Sequence, residues 1–525
     1  MKIVRQSRNF LCSILILCCF CGQTYANTEI EDKRLIVFVS DFHLGLGQVD
    51  GEWHPYEDFR WPNALNKFLQ EITHRGNDQV DLVIVGDFLE LWQVPDDVSC
   101  KGSSADFGCR IEEVEKITRR IITAHSGNME DGSLRAIDSF RNFSKIGNNK
   151  IHIIPGNHDA GLMISSVWKI LLEALGGDAD RILLVGPDKK GVWTSPDGKL
   201  VAEHGHQMGA DLNKYKNWPL VYDEATNLMQ RVGGERNVQK IFNDVERDYP
   251  IIDNLSPHSK GAWYRMQDVG VWGSVADVAR LMTFIIFETS IKQKIDTLGE
   301  DQQAGGELKW DLEYARKELG FNVLAMALEE DDPIRVALQS DEPSEKIKKL
   351  KTNLNIQVRH FEDKQLSFLC DQLALRGEVQ CKDATLGYAI ETMTKSRTRV
   401  KREHLTDRLQ VYKDMKVFIY GHTHKLEEGH NIDIDGDRLV KVFNTGAFQR
   451  IISDESYRES LAEKYPNLSP AEGLSKFDLE KDLNPCYTAV IAEFTNEAYK
   501  LKTQRWYAAE SGAGSFVDVG DPRCD

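Results

Sequence analysis

Beyond its first 26 residues the 525-residue chain has no run of about twenty uncharged apolar residues; the nearest, Val278 to Ile291, is interrupted by Arg280 and Glu288. The mature chain is therefore expected to lack an integral membrane segment and to be soluble. Basic residues are in deficit, 65 Lys and Arg against 82 Asp and Glu, for a net charge of −17. That balance disfavours nonspecific binding to nucleic acid or to an anionic membrane, while leaving room for a local basic patch. Cysteine is sparse, ten in all, and after residue 26 no spacing is the Cys-x-x-Cys of a zinc site. No internal repeat or low-complexity tract is present.

The start of the chain differs from the rest. Lys2, Arg5 and Arg8 precede an apolar stretch too short to span comfortably, followed by Thr24-Tyr25-Ala26 as a small-residue cleavage site. Residues 1–26 read as an export signal. Leu15-Ile16-Leu17 before Cys18 lacks the small residue of a lipoprotein site. Cleavage removes three cations and no acid, so 62 basic residues face 82 acidic ones, a net −20. Six cysteines remain, an even count that in an exported, periplasmic or secreted chain predicts disulfides. Proximity pairs Cys100 with Cys109 and Cys370 with Cys381, and Cys486 with Cys524 follows by elimination. Asn142, Asn254 and Asn467 begin Asn-x-Ser sequons.

The organisation is α/β. Leu35 to Val39, Leu82 to Val85, Ile151 to Ile154 and Leu200 to Ala202 read as strands; Ala64 to His74, Ile111 to Ala124 and Met163 to Leu175 read as helices. From 207 to 412 the sequence is charged and helix-favouring, with acidic clusters such as Glu329 to Asp332, and reads as a helical insertion. Strand signals resume at Val417, continue through Leu439 to Phe443, and end with Thr488 to Glu493 and Ala498 to Lys502 around Asn496. Residues 34–206 and 413–505 form one core, with 506–525 as a C-terminal tail.

Five strands end in groups able to hold a metal: Asp41-Phe42-His43, Gly86-Asp87, Gly156-Asn157-His158-Asp159, Glu203-His204-Gly205-His206 and Gly421-His422-Thr423-His424. An Asp after a strand is more often a turn or cap residue than a ligand. The signal is the recurrence, because a parallel-type sheet would gather these ends along one edge. Mixed nitrogen and oxygen donors suit zinc, manganese or iron. His206 competes with His204 as a ligand, and Asn444-Thr445-Gly446 reads as a structural turn beside the site.

These motifs, in this order, resemble the calcineurin-like metallophosphoesterase superfamily, over residues 34–206 and 413–505. The resemblance implies a metallophosphoesterase-type β-sandwich flanked by helices, and favours His204 over His206. One divalent ion would be held by Asp41, His43, Asp87 and His424, its neighbour by Asp87, Asn157, His204 and His422, with Asp87 bridging. His422 and His424 would lie on the same side of an extended backbone, each serving a different metal. Phe38 to Gly45 and Gly86 to Trp92 are most similar to the branch containing UDP-2,3-diacylglucosamine hydrolases. Members resembling the lipid A enzyme have arginine where this chain has His158, act on the cytoplasmic side and lack so long an insertion.

The expected activity is hydrolysis of a phosphate mono- or diester, small molecule or lipid head group, with a metal-bound hydroxide as nucleophile. His158 would act as acid or charge stabiliser and Asp159 would orient it. The rival expectation, from another class, is a metal-binding interaction module that uses the insertion to bind a partner.

Overall fold

The computed structural model describes residues 34–256 and 397–524, apart from 50, 105, 209–212, 240–242, 437, 496–497 and 510–511, together with Gly261 and Tyr264. Residues 1–26, expected to be an export signal, Val278 to Ile291, Glu329 to Asp332, Asn496 and the expected pairing of Cys370 with Cys381 lie outside the described residues.

Leu35–Val39 is buried at every position, as expected of a strand covered on both faces. It is the central strand of a seven-stranded sheet ordered Ser515–Val517, Ala498–Tyr507, Cys486–Thr495, Leu35–Val39, Val80–Val85, Lys150–Ile154, Ile182–Leu184. The last four run parallel, with Val39 opposite Ile84 and Val85 opposite Ile154. A second sheet is ordered Leu426–Asp433, Leu439–Thr445, Val417–Tyr420, Leu200–Ala202, Trp193–Thr194. Here Val417–Tyr420 is parallel to both neighbours.

Alternation along the strands divides the core. Ile36, Phe38, Val83, Val85 and Ile154 of the first sheet share one apolar cluster with Leu200, Ala202, Ile419 and Phe443 of the second. Leu35, Val37, Val39, Leu82 and Ile84 point the other way, into the helices. The helices answer with periodic apolar faces: Ile111–Ala124 buries Val114, Ile117, Thr118 and Ile121, at the three- and four-residue spacing of one helical stripe. The architecture is mixed α/β.

Several elements differ from the sequence expectation. Helix Ala136–Lys145 buries Ala136, Ile137, Phe140 and Phe143, and the helix expected over Met163 to Leu175 is a 3-10 turn, Ala160–Met163, followed by Ser165–Ala174. Residues 207–256, expected to be helical, carry Tyr222–Asp223 and Leu228–Gln230, which pair with Phe107–Arg110 in a three-stranded sheet. The Cys100–Cys109 disulfide tethers Phe107–Arg110, so that strand offers an edge that short segments can complete. Residues 207–256 also hold helices Gly233–Asn237 and Asn243–Asp248, and Arg397–Val411 is helical. The expected C-terminal tail supplies Ser515–Val517 to the large sheet and closes with the Cys486–Cys524 disulfide. Asn254 is buried and its amide donates to the Arg450 carbonyl at 3.0 Å, which leaves no room for a glycan there. Among the described residues no helix is long and apolar enough to cross a membrane.

Candidate metal centre

The five chemical strand ends come from both sheets, not from one. Three follow Leu35–Val39, Val80–Val85 and Lys150–Ile154; two follow Leu200–Ala202 and Val417–Tyr420. Their backbones are unusual. Asp41, His43, Asp87, His422 and His424 have φ of 53°, 50°, 50°, 71° and 52°, a region that costs non-glycine residues on the order of 1–3 kcal/mol each. They are half of the ten such non-glycine residues described, so the strain is concentrated where the ligands were expected. It also corrects one expectation: the backbone at His422 and His424 is left-handed, not extended.

Packing and hydrogen bonds hold these turns. Phe42 is buried against Phe59, Phe88, Phe140 and Phe448, and the amides of Phe42 and His43 donate to the Asp87 carbonyl at 2.9 and 3.0 Å. The neighbouring glycines are needed for close approach. A Cβ on Gly86 would stand 2.1 Å from His204 Nδ1, and one on Gly156 2.1 Å from Asp87 Oδ1.

Donor atoms gather in Asp41 with His43 and His424, and in Asp87 with His204 and His422, and a third group, His43 with Asp87 and His158, overlaps both. In the first, His424 Nε2 lies 3.4 Å from Asp41 Oδ1 and 3.1 Å from His43 Nε2. Asp41 Oδ1 is buried and accepts no hydrogen bond, while Oδ2 is held by Ser40 and by the His422 amide at 3.2 Å. In the second, His204 Nε2 is 2.9 Å from both Asp87 Oδ2 and Asn157 Oδ1. His204 Nδ1 donates to the Val85 carbonyl at 2.9 Å, which directs the other nitrogen at the oxygens. Asp87 Oδ2 also lies 4.0 Å from His43 Nε2, so one carboxylate oxygen faces both groups.

The electrostatics call for positive charge. Asp41 and Asp87 are 0% and 1% exposed, and among the described residues their ion-pair partners are histidines, not Lys or Arg. Burial alone would lower His43, but hydrogen bonding to Glu90 and the charges of Asp87, Glu90 and Asp41 push it up to about 10. His204 is likewise lowered by burial and raised by Asp87 and Asp41, to about 9. Burial opposes ionisation of Asp87, yet the His204 and His158 charges hold it well below the usual carboxylate range. Buried carboxylates facing imidazole nitrogens are a chemically fitting donor set for divalent cations.

His158 lies beside this centre. Its amide donates to Asp87 Oδ1 at 2.9 Å, its ring stacks on Trp92 with centroids 3.7 Å apart, and its Nδ1 meets Glu90 Oε2 at 2.5 Å. Asp159 does not orient it. The Asp159 carboxylate accepts instead from the amides of Gly156 (2.6 Å), Phe88 (2.8 Å) and Leu89 (3.3 Å), stapling two ligand loops together. Burial and the Asp87 charge push Asp159 up to about 7 against those hydrogen bonds. Glu90 takes the orienting place; it lies within the Gly86 to Trp92 stretch but is not among the expected site residues.

His206 turns toward aromatic neighbours, with its ring centroid 4.5 Å from that of Trp218. Asn444 braces the histidine turn by donating to the Gly421 carbonyl at 3.0 Å and the Thr423 hydroxyl at 2.9 Å. No protein-family model matches this chain, and no curated protein matches it.

Proposed function

We propose that the chain is a dinuclear metal-dependent phosphoesterase of the calcineurin-like type, with its two large sheets forming the metallophosphoesterase β-sandwich. The observation that carries this reading is Asp87 Oδ2, 2.9 Å from His204 Nε2 and 4.0 Å from His43 Nε2. Asp41, His43, Asp87 and His424 would hold one ion, and Asp87, Asn157, His204 and His422 the other, drawn from manganese, zinc or iron. Two such ions polarise a phosphate ester and lower the pKa of water.

The chain's own groups do the rest. Asp41 and Asp87 supply the negative charge that retains cations. With His158 Nδ1 committed to Glu90, Nε2 is the nitrogen that reaches substrate, and the side chain keeps 16% exposure. In this role it donates a proton to the departing ester oxygen. The Cys100–Cys109 and Cys486–Cys524 disulfides support export to an oxidising compartment. Substrates of this class are phosphate mono- or diesters of small molecules or lipid head groups. The test is release of the phenol from aryl phosphate mono- and diesters by metal-free protein and by protein with manganese or zinc. Metal-dependent release is expected; two bound ions with no release from any ester would favour a metal-binding interaction module.

A further inference from the structure

Trp92 ties the candidate acid to a part of the chain that supplies no donor atom. Its ring, 5% exposed, stacks on that of His158 with centroids 3.7 Å and planes 30° apart. The contact of His158 Nδ1 with Glu90 Oε2 alone would leave the imidazole free to rock about that axis, because the ring torsion of histidine is soft. Two neighbours remove that freedom: the face of Trp92, and the ring of His43, perpendicular to His158 with its centroid 4.5 Å away. Trp92 is itself held from two directions. Its amide donates to Glu90 Oε1 at 3.0 Å, so one carboxylate grips both the histidine and the backbone of the residue stacked on it. Its carbonyl accepts from Gln239 Nε2 at 2.9 Å. Helix Gly233–Asn237 comes so near the indole that a Cβ on Gly234 would stand 3.2 Å from Trp92 Cη2. Gly234 and Gln239 belong to the 207–412 stretch, which contributes no residue to either the Asp41 or the Asp87 donor group.

We propose that Trp92 is a positioning residue for the acid, and that the 207–412 stretch acts on the reaction through it: Gln239 and Gly234 hold Trp92, the indole holds the plane of His158, and Nε2 is thereby aimed at the leaving oxygen. The proposal rests on the phosphoesterase reading. Glu90 fixes which nitrogen is free; Trp92 fixes where that nitrogen points. A reacting group misplaced by about 1 Å can cost on the order of 10²-fold in rate, and the cost falls on the step that needs the proton. A tryptophan that merely filled the core would lower stability without distinguishing one ester from another.

The test compares the parent with Trp92→Leu, Trp92→Phe and Gln239→Met as manganese-loaded full-length chains, on glycerol phosphate and on a nitrophenyl phosphate, with metal content measured for each. Trp92→Leu should lower kcat on glycerol phosphate by roughly tenfold or more with KM within about twofold, and should lower it much less on the nitrophenyl ester. Trp92→Phe keeps a stacking face and should recover most of the loss. Gln239→Met leaves the core filled and should show the same ester selectivity in weaker form. In the His158→Asn background Trp92→Leu should add no more than about twofold, because the two residues act as one unit. Equal losses on both esters, an effect on KM alone, or full additivity with His158→Asn would overturn the assignment. NMR of the metal-free chain supplies a readout that needs no activity: the His158 ring protons should resonate upfield, shielded by the indole, and move toward unstacked values in Trp92→Leu and part of the way in Gln239→Met. Resonances unmoved by Trp92→Leu would overturn the stacking, and resonances unmoved by Gln239→Met would overturn the part assigned to the 207–412 stretch. A parent that binds two ions and hydrolyses no ester would overturn the phosphoesterase reading, and the stacking would then stand or fall on the resonances.

Discussion

Glu90 Oε2 receives the Nδ1 atoms of both His43, at 2.9 Å, and His158, at 2.5 Å. One buried carboxylate oxygen therefore fixes the tautomer of a candidate ligand and of the candidate acid together. Burial would raise Glu90, but the charges and hydrogen bonds of His158 and His43 bring it down to about 2. Glu90→Gln keeps the shape and removes the charge that favours both histidines. Metal affinity should fall by roughly 10- to 100-fold, measured by competition with a chelator. Unchanged affinity would show that Glu90 is structural.

Asp87→Ala removes the oxygen that faces both donor groups, and two ions would then repel across the gap without its charge. Both metals should be lost together. His424→Ala touches only the group with Asp41 and His43, so about one equivalent should remain. Metal analysis after dialysis separates the cases, and equal stoichiometry in the two variants would count against the partition.

Glu203, one residue before His204, is buried and paired with Arg408 at 2.5 Å and with His404. Burial opposes its ionisation, while His404 and Arg408 hold its carboxyl well below the usual range. A depressed pKa contributes stability that is present above the ordinary value of 4.5 and is lost as pH falls through the folded value. Arg408→Met leaves the carboxylate short of a partner and should destabilise by about 3–5 kcal/mol near neutral pH. Glu203→Gln in that background should recover part of the loss. A thermal midpoint within about 1 °C of the parent for Arg408→Met would refute the pairing's importance.

Much of this centre was legible because each strand ended in a glycine or serine beside a metal-competent side chain, and parallel strands bring such ends together. Glu90 was not, since it lies past the Gly86-Asp87 pair in the loop after Val80–Val85 and its partners lie 47 and 68 residues away. Asp159 was misread for a related reason: adjacency to His158 suggested contact, but the carboxylate turns to the three amides its own loop and the Asp87 loop leave unpaired. Tyr222–Asp223 and Leu228–Gln230 are too short to display an alternating pattern. The left-handed backbone at His422 and His424 is braced by Asn444 through Gly421 and Thr423, a contact that sequence spacing does not encode.

Glu246 is buried with Asp58 and Asp253 nearby; burial first, then the charges of Asp58 and Asp253, hold its carboxyl well above the ordinary 4.5. A raised carboxyl pKa binds a proton in the folded state that the unfolded state has released. Stability from this group is therefore full at low pH and falls as pH rises above about 4.5. Glu246→Gln is neutral at every pH and can still donate to Asp58. Its thermal midpoint should match the parent near pH 4.5 and exceed it progressively toward pH 8, as measured by calorimetry. A constant offset across that range would refute the linkage.

His158 is held by Glu90, by stacking on Trp92 and by its own amide, and none of these requires its imidazole to bind a metal. His158→Asn should therefore retain the fold and both metals, which metal analysis can establish before any rate is measured. A positioned acid contributes roughly 10²- to 10⁴-fold when the leaving oxygen needs a proton. Alkyl phosphates have such leaving groups, and the variant should slow by about that factor on them. Nitrophenolate is stable as an anion, so its ester should suffer much less, and the defect should shrink as the leaving-group pKa falls. A slope of log kcat against leaving-group pKa steeper in the variant than in the parent is the signature of lost acid catalysis. Parallel slopes with lower rates would assign His158 to phosphate positioning, and unchanged rates would make it structural.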